Sequence, residues 1–466
     1  MTRPAPETIA ALMADLAGLT LTDDPRYVAA KSRDYYWYSP ILDHDLAGKT
    51  GDLVVQPEDE AEVMRVAAAC VRHGVPLTVR GGGTGNYGQC VPMAGGVILE
   101  VTKLDRVLEI APGRVRAQAG IRIGALDAAA AATGQMLNMW PSTRRLATIG
   151  GFIAGGSGGV GSLRHGMLRD GENVLSARVV TVEAEPRVVT LQGREVDNVQ
   201  HAYGTNGVIT EVELALSPLT AWMDAIALFD SYETALRFAM AAQERLDAFL
   251  MTPVERRFAP FYTRMTEYFP ADRDAVFAMI APDGRAAFER LAAEHGGRVS
   301  LTMTAAEVEA ARLSPAYECG WNHTTLQALK KDRGWTYLQV AYPRPFDPAL
   351  VTRQMARYGD EMLMHHEMAR LDGVVQIFAL PLVRWTTRER MYEIIAELEA
   401  EGCAVYDPHA VTIEDGGMKE IDAGQIAFKR RADPLGLMNP GKTRGWAGAP
   451  GTAGTETGTG TGEGRP

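Results

Sequence analysis

Two glycine-dense stretches are the residues whose types and spacing point most directly to chemistry. The first is RGGGTGNYG, Arg80 to Gly88; the second, Gly150 to Gly166, holds eight glycines in seventeen residues. Glycine costs backbone entropy and contributes no packing, so such density calls for a local reason. Close approach of the backbone to a large ligand supplies one, with successive N–H groups converging on an anion. Each stretch contains a G-x-G-x-x-G spacing, at Gly83 to Gly88 and at Gly156 to Gly161. A dinucleotide-binding βαβ unit needs a long helix opening on the last of those glycines. Pro92 and the pair Gly95-Gly96 rule that helix out after the first stretch. The second match follows from glycine crowding alone. The two stretches therefore read as two walls of one ligand site, outside the Rossmann pattern.

The order in which they occur is more specific. A strand, RGGGTG, an alternating hydrophobic block, ATIGG with its glycine-rich continuation, and a later GTNGVITEV follow one another. This order resembles the flavoproteins typified by vanillyl-alcohol oxidase, whose FAD-binding domain is called the PCMH type. Within them it is nearest in pattern to the flavin subunits of glycolate oxidase and D-lactate dehydrogenase. The resemblance covers Gly51 to Leu216 and returns at Asp433 to Lys442. It implies FAD, with Arg80, Gly81, Gly82, Gly83, Thr84, Gly85 and Asn86 in the first pyrophosphate loop. Thr148, Gly151, Gly155, Ser157, Gly158 and Gly161 belong to the second. Gly207, Val208 and Ile209 match the strand that clasps the adenine portion through its backbone, and Asn439 lies in the closing motif that covers the cofactor. Thr84 stands where relatives with covalent flavin often carry a histidine, and no cysteine lies near Ala147 to Gly161. Noncovalent FAD is the expectation.

The same resemblance implies hydride transfer from a substrate C–OH to flavin N5 while a protein base takes the hydroxyl proton. His409, in VYDPHAVTIEDGG before a short alternating strand, leads the candidates. It falls roughly where hydroxy-acid dehydrogenases of this type carry glutamate-histidine-glycine, although here the run is Pro408-His409-Ala410. His366, its neighbour His365, His323 near Trp321, and Tyr342 are further candidates. A carboxylate on the substrate would call for a bidentate arginine, and Arg344 and Arg384 both follow predicted strands. No metal-ligand spacing stands out, so no metal is expected. The expected activity is an FAD-dependent oxidase or dehydrogenase of an alcohol or hydroxy acid, reoxidised by dioxygen or another acceptor. An aromatic-alcohol or phenol oxidase and a noncatalytic flavin-binding electron-relay subunit are the alternatives.

Composition narrows the partners. The 466 residues carry a formal net charge of -11, which opposes nucleic-acid binding, because phosphate contact needs a basic stripe. No apolar run approaches the roughly 18 residues of a membrane span, and the N-terminus lacks the pattern of a signal peptide. Four widely separated cysteines, Cys70, Cys90, Cys319 and Cys403, read as reduced thiols. A cytoplasmic protein is expected, with a homodimer as the default assembly.

The elements that must hold these residues form an α+β chain. Residues 1–48 read as an N-terminal arm with the aromatic run Tyr35 to Tyr38. Residues 49–218 form a PCMH-type FAD-binding domain, with a β-α-β unit from Leu53 to Arg80 leading into the first loop. Residues 219–420 form a substrate domain, an antiparallel sheet with helices on one face. Its predicted strands are Ala275 to Ile280, Trp335 to Ala341, Glu361 to Met368 and Val374 to Leu380. Residues 421–445 return to the FAD domain, and 446–466 are a disordered tail.

Overall fold

The computed structural model describes residues 1–170 and 172–446. Of the expected tail, only Trp446 falls within them. The Lys429 ammonium lies 5.1 Å from its ring centroid.

The first lobe begins with three parallel strands, Leu53–Val55, Val97–Glu100 and Leu77–Arg80, side by side in that order. Helix Glu60–His73 connects the first to the last. Asp59 caps its N-terminus, Gly74 ends it at φ 63°, and Val63, Val66, Ala67 and Cys70 form its buried face. The 3.6-residue spacing of those four side chains makes the helix amphipathic and sets it on the sheet. The first glycine loop then leaves the C-terminal end of strand Leu77–Arg80, where the sheet's hydrogen bonding stops.

An antiparallel sheet follows, ordered Val107–Ala111, Arg114–Gln118, Val208–Pro218, Val174–Val180, Val188–Gln192. Its long central strand, Val208–Pro218, starts at the end of GTNG and so ties that motif to both neighbours. The second glycine stretch opens as the helix Ile149–Gly155, capped by the Thr148 hydroxyl, which accepts from Gly151 N at 3.3 Å.

The second lobe is antiparallel, as expected, but divided into three ladders. The first runs Ala248–Val254, Asp274–Ile280, Met223–Phe229, Arg298–Thr304, under helices Tyr232–Arg245 and Arg285–Glu294. Between sheet and helices Phe238 packs edge to face on Phe288 and tilted on Phe229. The predicted strand Trp335 to Ala341 splits at Leu338. Trp335–Tyr337 pairs with Leu382–Arg384, whereas Gln339–Ala341 lies between Val374–Ala379 and Ala404–Tyr406. Glu361 to Met368 splits in the same way, into Met362–Leu363 and His366–Leu371. After His409 the chain forms a helix, Ile413–Gly416, where a strand was predicted; Thr412 caps it by accepting from Asp415 N.

The C-terminal helix, Ala423–Ala432, leads back to the first lobe. Val182 N donates to Ala432 O at 2.6 Å, Leu77 N to Leu437 O at 2.9 Å, and Asn439 N to Leu77 O at 2.8 Å. The closing segment thereby adds an edge beside the strand that feeds the first glycine loop.

Candidate active site

One cavity extends between the two glycine stretches and on to the second lobe. Gly81 through Asn86, Thr148, Gly151, Gly155, Ser157, Gly158, Gly207 and Ile209 line it. The glycines are needed first for packing of one loop on the other. A Cβ at Gly81 would meet Thr148 Oγ1 at 2.1 Å, and one at Gly82 would meet Leu146 O at 2.3 Å. Gln89 fastens the loops by donating from Nε2 to Gly155 O at 2.7 Å. With the loops held this way, the backbone N–H groups of Gly82 to Asn86, and those of Ser157 and Gly158, donate to no group among the described residues. Such groups are costly to bury unless a ligand accepts from them. An extended cleft lined by free backbone donors fits the diphosphate of a dinucleotide-type cofactor.

Four expected cofactor residues lie behind this surface. Arg80 donates to Lys31 O at 3.0 Å and Arg33 O at 2.6 Å, bracing the N-terminal arm. Gly161, at φ 100°, donates to Phe249 O, and a Cβ there would meet Asn138 O at 2.2 Å. Val208 is fully buried in the first-lobe core opposite Val180. Asn439 donates from Nδ2 to Gln89 O at 2.7 Å and Tyr203 O at 2.6 Å, so it positions two segments of the cleft at once.

Several lining residues escaped the sequence reading: Asp34, Gln89, Cys90, His201 and Tyr203. Gln89 and Cys90 directly follow the first loop, and His201 and Tyr203 precede GTNG, so adjacency was the available signal. His201 Nδ1 lies 3.1 Å from Ser157 Oγ. Burial lifts the Asp34 carboxyl to about 6 and lowers the Lys442 ammonium to about 8. Lys442 donates to Gly88 O at 2.7 Å and offsets the Asp34 charge beneath the loop.

At the other end the cavity reaches helix Trp321–Lys331, whose Asn322 and His323 line it. Trp321 takes φ 50°, and its N–H donates to Glu367 Oε1 at 2.6 Å. Glu367, fully buried, also accepts from Thr252 Oγ1 at 2.7 Å, and His365 Nε2 lies 2.9 Å away. This anchor fixes the helix start. Two buried polar atoms beside it, Trp321 Nε1 and Asn322 Oδ1, have no partner among the described residues. Burial lowers the His323 pKa to about 4, and the charges of Lys330 and Arg145 act in the same direction. The ring is therefore neutral at physiological pH. Opposite, Gln339 Nε2 donates to the Tyr87 hydroxyl.

The five residues that led the sequence reading do not line this cavity. His409 is 2% exposed, with Nδ1 2.7 Å from Ser39 Oγ, and burial lowers its pKa to about 3. His366 is fully buried against Tyr232, whose hydroxyl lies 2.7 Å from Nδ1. Tyr342 donates to Gln354 Oε1 at 2.5 Å inside the second-lobe core. Arg344 is exposed and donates to Gln376 Oε1 at 2.6 Å. Arg384 pairs with Asp332 at 2.6 Å and sits over the Trp335 ring. Arg344 follows strand Gln339–Ala341 and Arg384 ends strand Leu382–Arg384, yet neither side chain lines the cavity.

Comparison with known proteins agrees with this geometry. A family described as an FAD binding domain matches residues 51–191. The chain is 27% identical to a D-lactate dehydrogenase of Archaeoglobus fulgidus over 431 residues, covering 84% of this chain and 90% of that one. It is 33% identical to the glycolate oxidase subunit GlcD of Escherichia coli over 194 residues, 39% of this chain and 38% of the subunit. Among solved structures, an alkyldihydroxyacetonephosphate synthase superposes with TM-score 0.70 at 16% identity, over 95% of this chain and 85% of that one. A BBE-like protein of Physcomitrella patens superposes with TM-score 0.64 at 11% identity, over 91% and 97%. The structural likenesses establish a shared fold.

Proposed function

We propose that this chain, whose residues 51–191 match an FAD binding domain, oxidises a C–OH group of a small organic molecule. The observation that supports this most is the single cavity shared by the glycine loops and His323. Bound FAD supplies a two-electron acceptor for the hydride leaving the substrate carbon. The backbone donors of Gly82 to Asn86 and of Ser157 and Gly158 hold the cofactor's diphosphate. His323, neutral and facing the cavity, takes the hydroxyl proton on an imidazole nitrogen. Asn322 Oδ1 and Trp321 Nε1, which have no partner among the described residues, orient the ligands beside it. Glu367 fixes the start of the helix that carries all three side chains. Dioxygen or another acceptor completes the cycle.

The relatives named for D-lactate and glycolate make 2-hydroxy acids the reference substrates of any panel. FAD-loaded protein is titrated anaerobically with 2-hydroxy acids, sugars and aromatic alcohols while the visible flavin band is followed. Loss of the band with one class supports the reading. A band that persists across the whole panel, in folded and FAD-loaded protein, contradicts it.

A further inference from the structure

The first glycine loop sends one aromatic side chain to the second lobe. Tyr87 directly follows Asn86 of that loop and lines the cavity together with Trp321, Asn322, His323 and Gln339. Two contacts fix the place of its phenol oxygen. The ring stacks on Tyr203, with centroids 6.5 Å apart and planes at 24°. The oxygen accepts from Gln339 Nε2. Both supports are themselves held: Asn439 donates to the Tyr203 carbonyl, and Gln339 lies in a strand paired on both sides.

A phenol hydroxyl can accept and can also donate one proton. Gln339 uses the accepting side of Tyr87, and among the described residues no group accepts its proton. Tyr337 and Asn322 flank the same oxygen. Neither the Tyr337 hydroxyl nor Asn322 Oδ1 has a hydrogen-bond partner among the described residues. The Tyr87 proton is therefore left for a ligand in the cavity. Burial raises the Tyr87 pKa, against the opposing effect of Gln339, Tyr337 and Asn322, so the phenol keeps that proton at neutral pH. His323, on the helix that also carries Asn322, is in the complementary state, neutral and able to accept. A donor from the first lobe and an acceptor from the second thus line one cavity.

We infer that Tyr87 is a further catalytic residue, its hydroxyl donating to the same substrate oxygen from which His323 takes the proton. The inference rests on the C–OH oxidation proposed above. The O–H bond of the substrate breaks and its proton passes to His323. The C–H bond breaks and its hydrogen leaves with the electron pair as hydride to the cofactor. Tyr87 keeps its own proton throughout and stabilises the negative charge that gathers on the oxygen between these events. The donor belongs to the loop that holds the diphosphate, so one segment places both the cofactor and the substrate oxygen.

Two variants separate donation to the substrate from a mere tie between the lobes. Tyr87→Phe and Gln339→Leu both delete the Tyr87–Gln339 bond, but only the first deletes the phenol. Each is loaded with FAD and reduced anaerobically by the best reductant of the panel. Tyr87→Phe is expected to lower the limiting reduction rate by roughly 10²-fold, the scale of one donor to a developing oxyanion, and Gln339→Leu to lose at least about tenfold less. The substrate concentration giving half that rate should shift by less than about threefold in Tyr87→Phe. A second readout needs no turnover: the infrared carbonyl stretch of the isotope-labelled product, bound to the oxidised protein, is expected at lower frequency in the wild type than in Tyr87→Phe. Equal losses in the two variants, an unchanged rate in Tyr87→Phe, or a carbonyl frequency that Tyr87→Phe leaves in place overturns the inference and leaves the oxidation standing. Loss of FAD from Tyr87→Phe also overturns it, since the phenol then builds the cofactor site. If no compound of the panel reduces the wild-type flavin, the proposed oxidation falls and takes this inference with it.

Discussion

Burial of the His323 ring, reinforced by the charges of Lys330 and Arg145, lowers its pKa to about 4. An unperturbed imidazole titrates near about 6.5. A base with a depressed pKa stays unprotonated until the pH falls through that lower value. The rate of anaerobic flavin reduction should accordingly stay level from about pH 8 to about pH 5 and fall only below that. A fall centred near about 6.5 would identify an ordinary, solvated histidine as the base instead. Replacing the ring in His323→Gln should lower that rate by roughly 10²-fold, with FAD content unchanged by absorbance. At this scale the sequence was only partly legible. His323 stood among the candidates, but His409 led because of its partial motif. What separates them is which ring meets the cavity, and that depends on the fold of the second lobe. His409 turns onto Ser39 in the N-terminal arm, a contact 370 residues away along the chain.

Two elements carry the site. The glycine loops are intolerant where a Cβ would strike backbone, because backbone cannot yield as a side chain does. Gly82→Ala places a Cβ 2.3 Å from Leu146 O, so the variant should purify folded by circular dichroism but without flavin absorbance. Gly284→Ala, where nothing lies within 4 Å and φ is -77°, is the matched control and should keep its flavin. The second element is helix Trp321–Lys331 with its Glu367 anchor. Glu367→Gln removes the charge and leaves one of its three neighbours badly matched, costing roughly 1–3 kcal/mol. Glu367 touches neither cleft loop, so FAD content should persist while the reduction rate falls more than substrate affinity; an unchanged rate would show that the anchor is not needed. Thirteen of the expected cofactor residues, from Gly81 to Ile209, line the cavity, and the glycine density that marks both loops is local and so visible in the sequence. Strands Met223–Phe229 and Ala248–Val254 were not legible. Both are buried throughout, so neither shows the alternation that marks a half-exposed strand.

At the scale of the molecule, the cavity is shared by the N-terminal arm, both lobes and a closing segment that returns from the far end of the chain. Its N-terminal contribution is Asp34 and Tyr38, and the C-terminal segment ties Asn439 to Gln89 and Tyr203. Ligand binding to so composite a cleft stabilises the whole fold by linkage. FAD at about 100 times its Kd should add roughly 2.7 kcal/mol to stability, read as a rise in Tm of the flavin-free protein. Asn439→Ala should diminish that rise by weakening FAD retention. The class α+β, the PCMH-type lobe and the returning C-terminal segment were all readable from motif order. The split of Trp335 to Ala341 between two ladders was not, because the change of partner at Leu338 answers to long-range pairing and not to local pattern. The proposed oxidation breaks a single bond to carbon, the carbinol C–H of the substrate. The most direct measurement takes the best reductant from the panel, deuterates that carbon, and follows one anaerobic turnover while assaying the carbonyl product in the same sample. One carbonyl formed per flavin reduced, at a rate slowed by deuterium, is the predicted result. Flavin reduction without carbonyl product would contradict the account.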